Sequence, residues 1–255
     1  LRRMGFEEIY DTNFAADLTI MEEANEFLER FMSGKNLPLI TSCCPAWIKY
    51  AENNYGGNIN LISSCKSPQQ MFGAVTKNYL PIKLGLKKDN ISVVSIMPCI
   101  SKKQEANRDE MKDKDGIRDV DIVITTRELA KLIREAGIDI INLEESKFDN
   151  PLGESSGAGA IFGASGGVME AALRTSYEWI TGETLEKVDF EAVRGLEGIK
   201  EAKVNFHGQE INIAVVSSLG NVKKIMDEVE LGKSKYQFIE VMACLGGCIN
   251  GGGQP

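Results

Sequence analysis

The sequence predicts an α/β fold, and three observations point to it. Strand-like and helix-like runs alternate along the 255 residues. Two strand-like runs end on cysteines, Cys99 and Cys244, and carboxyl ends of strands are where such folds place functional groups. Ser67-Pro68-Gln69-Gln70 and Thr125 to Glu128 have the capping-box pattern that starts a helix, the first with proline at the first helical position.

Taken in order, Asp11 to Gly34 reads as a helix, with Ile20, Ala24, Phe27 and Phe31 at spacings of three and four and glycine as the stop. A short strand from Leu37 to Thr41 leads into Cys43 and Cys44, and a helix runs from Ser67 to about Tyr79. The β-branched run Ile91 to Met97 is a buried strand ending at Pro98-Cys99. Asp121 to Thr125 is the next strand, followed by a helix that stops near Gly137. A helix from Gly167 to Gly182 precedes a hairpin, Ala202 to Ser217, turning at His207-Gly208. The chain closes with a helix from Asn221 to Glu230 and a strand from Gln237 to Ala243. No repeat, low-complexity tract or clear linker divides it.

With 43% hydrophobic and 26% charged residues the chain can bury a substantial core. A net charge of -8 argues against nucleic acid or an anionic membrane as partner, since both are negative. No uncharged apolar stretch reaches the roughly 18 residues of a membrane span. Leu1 in place of methionine and the abrupt end at Gly251 to Pro255 read as a piece of a longer chain. A cytoplasmic location is the expectation, with a periplasmic one left open by the unseen N-terminal side.

Six cysteines are too few for a disulfide scaffold in a domain of this size and fit metal or redox chemistry better. Cys44, Cys99, Cys244 and Cys248 come from three segments, each beside proline or glycine, which shape tight backbone around a bulky inorganic ligand. If Cys244 starts a helical turn, it and Cys248 face the same side. Four thiolates can hold one iron–sulfur cluster or a closed zinc site, and free cysteines are also often plain buried residues. The residues alone leave these open.

Three segments then carry a resemblance: Thr41-Ser42-Cys43-Cys44-Pro45-Ala46-Trp47, Met97-Pro98-Cys99-Ile100-Ser101-Lys102-Lys103-Gln104-Glu105, and Glu240-Val241-Met242-Ala243-Cys244-Leu245-Gly246-Gly247-Cys248, continued by Asn250 to Pro255. They resemble the three signatures of the di-iron, iron-only hydrogenases, and the likeness runs on through Ser63 to Gln70 and Ser156 to Gly167. The resemblance implies a partial catalytic domain over residues 1–255, in two intertwined lobes of about 1–120 and 121–255. Each lobe is a small, mainly parallel sheet flanked by helices, with the cluster in the cleft between them. It implies the H-cluster: a four-iron cluster on Cys44, Cys99, Cys244 and Cys248, bridged through Cys248 to a di-iron subsite bearing carbon monoxide, cyanide and a bridging dithiolate amine. Lys102 matches the family's cyanide donor, and Met97, Met242, Gln69 and Phe162 match residues lining the subsite. Cys43 matches a thiol that passes protons to the bridging amine, and Glu23, Ser63, Glu26 and Arg30 match the route onward to solvent.

A thiol suits proton transfer because its unperturbed pKa of about 8.5 keeps both protonation states within reach. Glu23, Glu26 and Arg30 share one helix face at i, i+3 and i+7. Without the resemblance, Glu26 and Arg30 would be a solvent-facing ion pair, Lys102 a solvated lysine, and Met97, Met242, Gln69 and Phe162 core or helix surface. Cys65 matches no ligand and reads as a small buried residue, His207 has no partner motif, and Ala46 stands where many members have glycine. The partners implied are molecular hydrogen, protons, a ferredoxin or NAD(P)-linked electron-transfer subunit, and maturation proteins. Two other readings are a cytosolic iron–sulfur assembly factor, which resembles hydrogenases in all three motifs, and a sensory hydrogenase-like protein. Both typically lack the cysteine matching Cys43.

Overall fold

The computed structural model describes residues 1–255 except 151, 186–187, 194–196 and 207. Its helices are α1 Thr12–Ser33, α2 Pro45–Asn54, α3 Pro68–Leu84, α4 Lys102–Glu105, α5 Thr126–Glu135, α6 Gly157–Ile161, α7 Gly167–Thr181 and α8 Leu219–Glu230. Its strands are β1 Leu39–Ile40, β2 Val94–Met97, β3 Ile122–Thr125, β4 Glu191–Ala192, β5 Ile199–Phe206, β6 Gln209–Ser217 and β7 Phe238–Met242. The architecture is mixed α/β, with parallel-rich sheets flanked by helices.

One sheet has the order β1-β7-β6-β5-β4 and the other pairs β2 with β3. β1, β7 and β6 run parallel, as do β2 and β3, while the hairpin β5–β6 and the edge pair β4–β5 are antiparallel. The large sheet joins the two ends of the chain, Leu39 pairing with Phe238, whereas the small sheet pairs segments only 28 residues apart, Val94 with Ile122.

The large sheet is buried on both faces because β6 is apolar in both of its alternating sets. Ala214 and Val216 pack with Trp47 and Ala51 of α2 and with Val222, Ile225 and Met226 of α8. Ile213 and Val215 pack on the other face with Phe27 of α1 and with Met169 and Leu173 of α7. Phe27 stacks on Phe238 with ring centroids 4.6 Å apart. A third cluster of Ala16, Ile20, Cys43, Phe162, Val168, Ala171 and Met242 lies against α1 and α7, and the small sheet has its own core of Ala106, Val120 and Val123.

Most local signals act as the sequence indicates. Asp11 caps α1 by accepting from the Asn13 N–H, and Gly34 ends it at φ 65°. Thr125 and Glu128 form both arms of a capping box on α5. The other expected capping box, at Ser67 to Gln70, does not form. Ser67 instead donates its hydroxyl to the buried Glu105 carboxylate at 2.9 Å, and neither amide atom of Gln70 has a hydrogen-bond partner. A charge-assisted bond inside the protein outweighs a neutral cap. α3 also runs to Leu84, past the expected end. The strand expected from Leu37 begins only at Leu39, since Pro38 has no N–H to give a ladder. α2 is not expected from the sequence: Cys44 at its N-cap position makes no side-chain cap, and its one start signal is Pro45 at the first helical position. The hairpin is present; His207, read as part of its turn, lies outside the described residues.

Phe238→Ala should lower the free energy of unfolding by about 3–5 kcal/mol. Phe238 is fully buried and fills space against Phe27. Denaturant titration checks this, and a loss below about 1 kcal/mol would show that the site collapses around the cavity or packs less tightly than described.

Candidate metal centre

Parallel pairing sets the site. β1 and β7 are neighbours running the same way, so Thr41-Ser42-Cys43-Cys44 and Ala243-Cys244 leave from the same edge of the large sheet. β2 delivers Pro98-Cys99 from the small sheet. Thr41 ties the first of these segments down: its Oγ1 accepts the Val241 N–H at 3.0 Å and its carbonyl accepts the Trp47 indole N–H at 3.1 Å. The Ala243 N–H donates to Cys44 Sγ at 3.4 Å, so the first and third motifs meet at a sulfur.

Cys248 does not lie one helical turn beyond Cys244. The chain reverses through Gly246 and Gly247, at φ 78° and 101°, before Cys248 opens a short 3₁₀ turn to Asn250. Added side-chain atoms have no room there: a Cβ on Gly247 would lie 2.6 Å from the Gly163 carbonyl oxygen, and one on Gly251 would lie 2.2 Å from the Pro98 oxygen. Gly253 N–H donates to Pro98 O at 2.8 Å, which seats the tail of the third motif on the second. The Arg127 amide in turn holds Gly253 O at 2.9 Å, anchoring the tail to α5.

All six cysteines are free thiols; Cys43 and Cys44 are buried, Cys99, Cys244 and Cys248 are half-buried, and so is Cys65, which the sequence predicts to be buried. Burial pushes the Cys248 thiol up to about 12, and the charged groups acting on it are Lys102, Cys44, Cys99 and Cys244. Backbone contacts bring the segments of the four candidate ligands together: Ala243 beside Cys44 Sγ, and Gly251 and Gly253, just after Cys248, against Pro98-Cys99. Among the described residues, no group of three or more His, Cys, Asp or Glu is placed to hold a single metal ion. A backbone amide aimed at the Cys44 sulfur and a cradle lined by Gly246, Gly247, Gly251 and Gly253 fit a bulky iron–sulfur cluster held by these thiols.

Beside this space Lys102 is 7% exposed and uses all three donors, one to Cys43 O at 2.9 Å and two to the Glu105 oxygens at 3.0 Å. Burial alone would lower the Lys102 pKa, but Glu105 and then Cys43 reverse this, leaving it raised. Glu105 also accepts from Ser67 Oγ and, at 3.1 Å, from Gln69 Nε2, while Gln69 Oε1 accepts from Ser95 Oγ at 2.8 Å. The sequence offers no role for Glu105 beyond its place three residues after Lys102. Phe162 and Met242 are buried with Cys43, and Cys248 packs against that cluster. Met97 instead packs against the core of the small sheet.

Ser63, Glu26 and Arg30 are linked by hydrogen bonds, and the buried Glu23 and Cys43 lie near enough for their charges to act on one another. Burial pushes the Cys43 thiol well above its ordinary range, with Glu23 the next contributor. Glu23 is 1% exposed and neither of its oxygens has a well-formed hydrogen bond; the Ser63 hydroxyl and Ser42 amide are near enough only to favour its charge. Desolvation pushes this carboxyl up to about 7. Ser63 donates to Glu26 Oε2 at 2.8 Å, the Ser64 amide donates to both Glu26 oxygens, and Arg30 donates to Oε1 at 2.5 Å. Arg30 and Glu26 are not a solvent-facing pair. The guanidinium also donates to the carbonyls of Asn36, Asn60, Leu61 and Ile62, which fixes it between the end of α1 and the 60–62 segment.

Glu23→Gln should change the pH dependence of stability. The folded pKa of about 7 lies above the ordinary 4.5, so the unfolded chain ionises first and the carboxyl's contribution to stability falls as pH rises from 4.5 to 7. Relative to the parent, the Gln variant should gain on the order of 3 kcal/mol between pH 4 and pH 8. Unfolding titrations at the two pH values check this; the same difference at both would mean that Glu23 is solvated.

Residues 1–252 match the family model "Iron only hydrogenase large subunit, C-terminal domain". The chain is 52% identical over its whole length to iron hydrogenase 1 of Clostridium pasteurianum, covering 44% of that protein. It is 50% identical to the periplasmic [Fe] hydrogenase large subunit of Nitratidesulfovibrio vulgaris, covering 61%. The chain thus spans about half the length of these curated relatives. More distant is the cytosolic Fe-S cluster assembly factor narfl of Xenopus tropicalis, 32% identical, with 99% of this chain and 55% of that protein covered. The fold superposes on the apo [FeFe]-hydrogenase HydA1 of Chlamydomonas reinhardtii with a TM-score of 0.90 at 43% identity, covering 100% of this chain and 71% of that one. A match from the first residue through all three cysteine motifs, on a shared fold, makes the chain a member of the family formed by the C-terminal domains of iron-only hydrogenase large subunits.

Proposed function

We propose that the protein interconverts molecular hydrogen with protons and electrons, using a four-iron cluster on Cys44, Cys99, Cys244 and Cys248 that is joined through Cys248 to a di-iron subsite. The observation that carries this reading is the line of polar groups running from buried Cys43 through Glu23, Ser63 and Glu26 to Arg30. A protein that only stores or hands on clusters has no use for a buried proton route ending beside its cysteines. Identity of 50–52% to hydrogenases against 32% to the assembly factor weighs the same way.

The H-cluster would be held by Cys44, Cys99, Cys244 and Cys248 and would take up the electrons of hydrogen oxidation or give up those of proton reduction. The chain's own residues do the rest. Cys43, with its thiol in the apolar pocket of Phe162 and Met242, holds and releases the proton nearest the reacting centre. Glu23, with a pKa of about 7, sits near the operating pH, where a carrier both takes up and gives up a proton readily. Ser63 carries the proton on to Glu26, and Arg30 holds Glu26 in place at the surface end. Lys102 supplies a charge-assisted donor to an anionic ligand once one of its two bonds to Glu105 is released. Gln69 is held facing the same region by Ser95 and Glu105, and Phe162 and Met242 exclude water from it. Electrons enter where Cys99 and Cys244 approach the surface, from a ferredoxin or an NAD(P)-linked subunit. No helix among the described residues is long and apolar enough to cross a membrane.

The assembly-factor reading is the alternative, and hydrogen evolution by the full-length, cluster-loaded protein separates the two. In that protein Cys43→Ala should lower evolution by about 100-fold or more, the scale on which a positioned proton carrier contributes, with the four-iron paramagnetic signal unchanged. An active parent whose Ala variant keeps its rate would remove Cys43 from the route; an inactive parent with a loaded four-iron cluster favours the assembly factor.

A further inference from the structure

Cys65 matches no ligand and has no part in the function described so far, yet it meets the proton route at two points and the loop that carries Cys43 at a third. Its Sγ lies 3.6 Å from Glu26 Oε2, the oxygen that also accepts from Ser63. Its N–H donates to Ser63 Oγ at 3.2 Å, so the Ser63 hydroxyl proton is left to point at Glu26. Its carbonyl accepts from Ser42 Oγ at 2.6 Å, which locks residue 65 to the loop that carries Cys43. An independent observation lies on the other side. Glu23 is fully buried with neither oxygen bonded, and its charge acts on the Cys65 thiol together with that of Glu26. The thiol therefore sits within the influence of both carboxylates, one lacking a donor and the other already held by it.

We propose that Cys65 is a second proton connection between Glu23 and Glu26, parallel to Ser63; this rests on the hydrogenase reading. In the outward step the Cys65 S–H proton passes to Glu26 Oε2 while the Glu23 carboxyl proton passes to Cys65 Sγ. One O–H bond breaks at Glu23 and one forms at Glu26; the thiol ends as it began and no electrons are exchanged. Burial raises the Cys65 pKa to about 12, which keeps the sulfur protonated as a donor rather than a resting thiolate. Such a thiol acts through the carboxylates and does not itself meet the reacting atoms.

Parallel connections have a signature that serial ones lack. In the full-length, cluster-loaded protein, Ser63→Ala and Cys65→Ala should each slow hydrogen evolution only about twofold, and the double variant about 100-fold, the scale on which a positioned proton carrier contributes. Cys65→Ser in the Ser63→Ala background should restore the rate, since a hydroxyl also donates and accepts. The thiol's S–H infrared band, isolated as the difference between the parent and Cys65→Ala, should shift in Glu26→Gln, a readout independent of turnover. A double variant no slower than the product of the singles, a Ser63→Ala variant already as slow as the double, or an S–H band unmoved by Glu26→Gln would overturn the proposal. Those outcomes in an active parent leave the hydrogenase reading standing; a parent that evolves no hydrogen removes both.

Discussion

The two-residue parallel ladder of Leu39–Ile40 on Phe238–Ile239 is the contact on which the rest of the site depends. It joins segments about 200 residues apart, and the Val241 amide, donating to Thr41 Oγ1, extends the junction toward the cysteines. Because parallel neighbours end on the same edge, Cys43, Cys44 and Cys244 emerge together from one rim of the sheet. The short ladder holds because apolar layers bury it on both sides, Trp47 and α8 on one and Phe27, Phe238 and α7 on the other. Cys99 arrives from a separate sheet and is clamped to the third motif by backbone contacts so close that Gly251 and Gly253 have no space for a side chain.

Three buried carboxylates show how the same cost is met differently. Burial pushes Glu240 up to about 7, and its oxygens accept from the Gly166 and Met169 amides at the start of α7. That pins α7 to the strand that delivers Cys244. Glu105 is held by Ser67, Gln69 and Lys102. Glu23 alone of the three has no bonded partner. Glu240 and Glu105 are satisfied as parts of the frame, and a buried acid left unsatisfied next to a thiol is what a proton carrier requires rather than what stability favours.

Much of the fold was legible because its signals are local. Asp11 and Gly34 bound α1, Thr125 and Glu128 start α5, and the apolar run before Cys99 is a strand, although it begins at Val94 rather than Ile91 and is half-buried rather than buried. The misses are cases where a distant partner decides. Ser67 has the chemistry of a cap but its hydroxyl is taken by Glu105, 38 residues away. α2 starts at a cysteine that caps nothing, and its stability comes from burying Trp47 under the sheet. The Glu26–Arg30 pair follows from helix spacing, whereas its anchoring by the 60–62 carbonyls does not. The cysteine set was readable from its motifs, but its convergence rests on a pairing between the two ends of the chain that no local pattern encodes.

The central claim is that the glycine-lined cradle of four cysteines, with the Lys102, Phe162 and Met242 region beside it, accepts an iron subsite as well as a four-iron cluster. Anaerobic infrared spectroscopy of the full-length protein, produced with maturation enzymes, tests this in the metal-bound carbonyl and cyanide region. The account predicts both carbonyl and cyanide bands, with the cyanide bands shifting in Lys102→Ala. A fully loaded four-iron cluster with no band in that region would contradict it.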